Sequence, residues 1–200
     1  MNWLAFALLA WIALGMQLGL APLLSPGSGA VVGSFVIPVL VYIGLHAPPR
    51  SAIWASLLLG VLIDLTTPMT RADGGEAYIL GPYAIGCFAA GHFTLAARGL
   101  VIKRNPIAFT VLCVLASAVA GVVAVAFFTA RSLYPGDPIA WTPGTELLNR
   151  LGSALFTSVF ALVLSLPLAL LTPFMGFAHS GYGTHHHASG GGRAAARRHY

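Results

Sequence analysis

The sequence predicts an all-α polytopic membrane protein of six transmembrane helices with both termini cytoplasmic. Three observations carry this. Of 200 residues, 58% are apolar and only 8% are charged. The mean hydropathy is +0.85. Runs of about 18 apolar residues, enough to cross a hydrocarbon core of roughly 30 Å, recur along the whole chain and are separated by Pro, Gly and polar clusters. No soluble domain is expected. The formal net charge of +5 would point to nucleic acid in a soluble protein. Here the basic residues stand between spans and in the tail, where they set topology, so the bilayer and not nucleic acid is the expected surroundings.

The first span covers about 3–24. It lacks a basic leading region and a small-residue cleavage pattern, so it is expected to remain in the mature protein. Gly15 and Gly19 flank Met16-Gln17-Leu18, either a small-xxx-small spacing that lets another helix approach closely or two glycines simply tolerated in an apolar helix, with Gln17 between them favouring a buried face. Leu24 to Gly29 reads as a turn, and the second span, about 30–45, is expected to bend near Pro38. His46-Ala47-Pro48-Pro49-Arg50 ends it. The third span, about 51–67, is short: at about 1.5 Å per residue it reaches some 25 Å. A polar loop over 68–76 precedes the fourth span, about 77–97, with Tyr78 and Tyr83 as interfacial aromatics.

Arg98, Lys103, Arg104 and Asn105-Pro106 form the sharpest basic cluster. The fifth span, about 107–130, repeats the small-xxx-small spacing at Ser117 and Gly121. Tyr134-Pro135-Gly136-Asp137-Pro138 is a turn. Thr142-Pro143 reads as N-cap followed by proline at the first helical position, opening a sixth span over 143–171. Residues 1–173 thus form one transmembrane domain. Residues 174–200, rich in Gly, Ala, His and Arg, form a cytoplasmic tail expected to be disordered.

With the N-terminus cytoplasmic, seven Lys and Arg residues fall inside (Arg50, Arg98, Lys103, Arg104, Arg193, Arg197, Arg198) and three outside (Arg71, Arg131, Arg150). That bias supports six spans. The acids Asp73, Glu76, Asp137 and Glu146 all fall outside as well.

The fifth acid, Asp64, lies inside an apolar run, and an intramembrane carboxylate is by default a functional hypothesis. Ala52, Ser56, Gly60 and Asp64 recur every four residues, so they form one small polar stripe that turns Asp64 towards protein. Eight Leu, Ile or Val residues at about −0.3 to −0.6 kcal/mol each offset the roughly 2.5 to 3.5 kcal/mol cost of inserting it. By depth, Tyr83 is the natural partner, and His92 stands about 15 Å away along the bundle axis. Two roles are open. Asp64, with Gly60, Ser56 and Tyr83, binds a partner or ligand, or it caps loop amides or pairs with Tyr83 for packing alone.

Gly86, Ala90 and Thr94, with Cys87 and Gly91 beside them, form a small face suited to packing on the third span. Cys87 and Cys113 read as small packing residues. His92 reads as an interhelical histidine, and His185-His186-His187 is a weak metal-binding signal by composition. No metal site or cofactor is expected. There is no HExxH, CxxC, phosphate-binding Gly loop or Ser, His and Asp set at one depth, so an enzyme is not expected.

Gly60-Val61-Leu62-Ile63-Asp64-Leu65, followed after a polar loop by Leu80-Gly81-Pro82-Tyr83-Ala84-Ile85-Gly86, resembles the G-x-x-x-D-L … L-G-x-x-A/y pattern of the rod shape-determining protein MreD family. The six-span count, the length before the tail and the Pro38 to Ile43 stretch are similar too, so the resemblance covers roughly 30–170. The loop between Leu65 and Leu80 is longer than expected and the His- and Arg-containing tail lies outside the pattern. The resemblance implies a bacterial inner-membrane subunit of the cell-elongation machinery with no reaction of its own. Its partners would be an MreC-like single-span periplasmic scaffold, a RodA-type glycosyltransferase and a class B penicillin-binding protein. The family is also similar in architecture to the substrate-binding S components of energy-coupling factor vitamin transporters. That alternative implies an outward pocket near Asp64 and Tyr83, although the first span lacks the A-x-x-x-A docking spacing of those subunits.

Overall fold

A computed structural model describes residues 1–24, 31–70, 75–100, 105–133 and 141–177. Among the described residues the chain is all-α, with six helices: α1 (Trp3–Gly19), α2 (Val36–His46), α3 (Pro49–Thr66), α4 (Pro82–Ala97), α5 (Pro106–Ser132) and α6 (Pro143–Leu171). A two-residue antiparallel pair, Met69 opposite Ala77 and Thr70 opposite Glu76, bridges α3 and α4. Residues 25–29 of the turn that begins at Leu24, part of the polar loop, the basic cluster at Lys103 and Arg104, the turn at 134–138 and the His185-His186-His187 tail lie outside the described residues.

Helix starts follow local chemistry. Asn2 caps α1 by accepting from the backbone N–H of Leu4 and Ala5, and Asn105 caps α5 by accepting from Ile107 and Ala108. These oxygens replace acceptors that the first turn lacks. Proline opens α3, α4, α5 and α6, where its missing N–H costs nothing. Thr142 holds the N-cap position of α6 as the spacing predicts, but its side chain makes no capping bond.

Neighbouring helices α3, α4, α5 and α6 pack successively side by side, and α2 threads the middle, touching every other helix. The residues Val36 to Leu45 are accordingly all buried. At 11 residues and about 1.5 Å each, α2 covers little more than half of a bilayer core. It starts later than its apolar run suggests, and Pro38 falls in its first turn, where no bend is required. The non-helical strap before it, Val31 to Phe35, is held by side chains: Val32 N–H donates to Ser153 Oγ at 3.1 Å, Ser34 N–H to Thr157 Oγ1 at 2.9 Å and Phe35 N–H to Gln17 Oε1 at 2.8 Å. Non-helical backbone inside a bundle needs partners of this kind.

The chain beyond α6 stays on the bundle further than its composition suggests. Met175 is buried, its carbonyl accepts from Asn2 N–H at 2.9 Å, and Phe177 stacks beside His46. The start of α1 and the end of α6 therefore share one end of the bundle. Large apolar side chains cover the outside, among them Trp11 at 81% and Leu166 at 74% exposure.

Candidate functional site

The small stripe of α3 faces inward. Ala52, Ser56, Gly60 and Asp64 are all buried, and four polar residues are buried among the described ones: Ser56, Asp64, Thr94 and Thr157. Each has partners, as buried polar groups require. The hydroxyls of Ser56, Thr94 and Thr157 donate to the carbonyl four residues earlier, and Thr157 also accepts from Ser34 as above.

Asp64 differs in that all its partners are backbone amides of another helix start. One carboxylate oxygen, Oδ2, accepts from the backbone N–H of Gly81 at 2.8 Å and of Ala84 at 2.9 Å; Oδ1 accepts from that of Tyr83 at 2.9 Å. Asp64 thus caps the first turn of α4 from the end of α3. The partial positive charge at that helix start and three charge-assisted bonds explain how a carboxylate survives here. Gly81 makes the convergence possible with φ at +130°, a backbone state closed to residues with a side chain.

Gly60 sits one turn before Asp64, and a Cβ there would lie 2.5 Å from the Tyr83 carbonyl oxygen and 2.6 Å from the Ala84 Cα. The glycine lets the two backbones meet so that the carboxylate reaches the amides. Further along, Ser56 fills the space against Gly91. The small face of α4 is divided between neighbours: Gly91 and Cys87 meet α3, Gly86 meets Ala120 of α5, and Thr94 meets Gly44 of α2. Ala90 is fully buried.

Tyr83 meets Asp64 through its backbone and not through its hydroxyl. The hydroxyl instead accepts from Arg150 Nη1 of α6, whose guanidinium carbon stands 4.9 Å from the ring centroid. Arg150 Nε is 4.0 Å from Glu146 Oε2. Spacing between α3 and α4 offers no hint of Arg150, which lies 67 residues from Tyr83.

Tyr83 and Arg150 line a cavity of about 410 Å³, a size typical of small-molecule sites. Gln17 from α1, Ser34 from the strap, Ile63 from α3, Ser117 and Gly121 from α5, and Glu146 and Asn149 from α6 also line it. Asp64 does not. Ser117 faces this space, while a Cβ on Gly121 would meet Arg150 Cβ at 3.3 Å. Gln17 holds both sides of the strap, donating to Gly33 O at 3.4 Å while accepting from Phe35. Its place between two glycines favours a buried face but does not name the strap as its partner.

By contrast, Gly15 and Gly19 are exposed and have no neighbour within 4 Å of an added Cβ; their small-xxx-small face packs on nothing within the described residues. His92 is exposed and, among the described residues, hydrogen-bonded only to the Phe88 carbonyl of its own helix, with no interhelical partner. Cys87 and Cys113 are buried free thiols.

Helices α3, α5 and α6 are long and apolar enough to cross a membrane, which suggests a multi-pass membrane protein. No family model matches the chain, and neither a curated protein nor a solved structure matches it.

Proposed function

We propose that the protein is a non-enzymatic scaffold subunit of a bacterial inner membrane, similar to MreD. In this role it binds an MreC-like single-span partner and helps organise peptidoglycan synthesis during elongation, alongside a RodA-type glycosyltransferase and a class B penicillin-binding protein. Six spans with both termini cytoplasmic would put the Asp64 end of the bundle on the periplasmic side, in keeping with the bias of basic residues.

One observation carries the proposal: the two halves of the MreD-like pattern meet as a single unit. Asp64 of the first half accepts three backbone bonds from Gly81, Tyr83 and Ala84 of the second, and Gly60 permits the approach. Each polar or small position of the pattern thereby has a physical reason. Asp64 serves the scaffold from within, since its oxygens are occupied by this chain. The open Gly15 and Gly19 face supplies a surface on which a single partner helix can pack closely.

Co-purification tests this. Replacing Gly15 and Gly19 together by Leu should leave the protein folded but remove the MreC-like partner and alter cell width. An intact complex and normal width in that variant would count against the proposal.

A second reading, a substrate-binding subunit of a vitamin-type transporter, is favoured by the cavity beside Tyr83. It requires a pair of ATPases to co-purify, which the scaffold role does not.

A further inference from the structure

The cavity contains an arginine with unfilled capacity. Arg150 Nη1 is committed to the Tyr83 hydroxyl, but Nε is buried without any hydrogen-bond partner. Nη2 makes no hydrogen bond among the described residues. Nε and Nη2 together form the side-on edge of a guanidinium, the edge that takes two oxygens of one acid in parallel.

Arg150 is held in place while its nearest acid is not. Its side chain is 18% exposed, lies against the Tyr83 ring and passes over Gly121. Glu146 is 36% exposed and its oxygen stands 4.0 Å from Nε, beyond hydrogen-bond reach. An incoming acid can therefore displace Glu146 into solvent while Arg150 stays fixed. Around this cation the lining combines apolar Ile37, Ile63 and Ala120 with Ser117 and Asn149, whose side chains make no hydrogen bond among the described residues.

From this geometry we propose that the cavity binds a small organic oxyanion, a carboxylate or phosphate on an apolar body, with Arg150 gripping the acid through its side-on edge. This site is independent of the scaffold proposal, because binding needs no partner protein and is compatible with either role above.

The test uses the full chain purified in a neutral detergent. Benzoate, phenyl phosphate and a short-chain phosphatidic acid are titrated by calorimetry, with benzamide as the uncharged counterpart of benzoate. At least one of the three acids should bind saturably and benzamide should not. The phosphatidic acid arm tells a lipid headgroup from a free acid. Arg150→Gln and Arg150→Lys should each weaken that acid by about ten-fold or more, the loss of a charge-assisted pair or of its forked geometry. Ser117→Leu, which narrows the cavity without touching Arg150, should weaken it as well and serves if the Arg150 variants fail to fold. Glu146→Gln should bind the acid more tightly. The proposal is overturned if no acid binds, if benzamide binds equally, if Ser117→Leu and the Arg150 variants bind as the parent does, or if binding appears only in Glu146→Gln.

Discussion

Asp64 Oδ2 accepts from the backbone N–H of Gly81 at 2.8 Å, and Gly81 can offer that N–H only because its φ is +130°. The two residues act as one joint between α3 and α4. Gly81→Ala forces a side chain into a disallowed state and should cost about 1 to 3 kcal/mol. Asp64→Asn weakens the same joint by removing the charge. In a double-mutant cycle read by unfolding in detergent, the two should be clearly non-additive. Additive losses would mean that the joint does not exist.

Gly60→Ala should separate α3 from α4, because the new Cβ meets backbone atoms at 2.5 and 2.6 Å and no side-chain rotation relieves that contact. Overpacking of this kind costs about 1 to 3 kcal/mol. Gly15→Ala, which meets nothing, should leave the unfolding midpoint unchanged or slightly raised, since alanine favours helix. The contrast between the two substitutions is the measurement, and equal effects would contradict the packing described.

The strap before α2 depends on side chains from distant helices. Thr157→Val keeps the shape but leaves the Ser34 N–H without its acceptor at 2.9 Å, at a cost of about 1 to 3 kcal/mol. Hydrogen exchange should rise at Ser34 and its neighbours before it rises within α3 or α5. Unchanged protection at Ser34 would show that the strap is held otherwise.

Sidedness is open to chemical labelling. In sealed, right-side-out vesicles, Leu133→Cys should react with a membrane-impermeant maleimide and Leu100→Cys should not; the parent residues are 79% and 88% exposed. The native Cys87 and Cys113 are fully buried and give little background. Reversed reactivity would invert the topology inferred from the basic residues.

The inward stripe of α3 was legible because residues four apart share a helix face whatever surrounds them. The start of α6 was legible because Thr142-Pro143 is a local signal. The pairing of Asp64 was only half legible: depth along the helices brought Tyr83 to the right level, but the choice between its hydroxyl and its amide depends on the φ of Gly81. Arg150 and Gln17 were missed as site residues for a related reason. Their partners, Tyr83 of α4 and the non-helical strap at Gly33 to Phe35, lie on other segments of the chain, and no periodicity within one helix reports contacts between segments. The late start of α2 was hidden because the residues before it are as apolar as the helix itself.

A pull-down of the tagged chain from native membranes, with identification of what accompanies it, bears most directly on the proposed role. The expected result is an MreC-like single-span periplasmic protein, retained by the parent and lost from the Gly15→Leu, Gly19→Leu double variant. Recovery of a pair of ATPases instead, or of the single-span partner equally from both proteins, would contradict it.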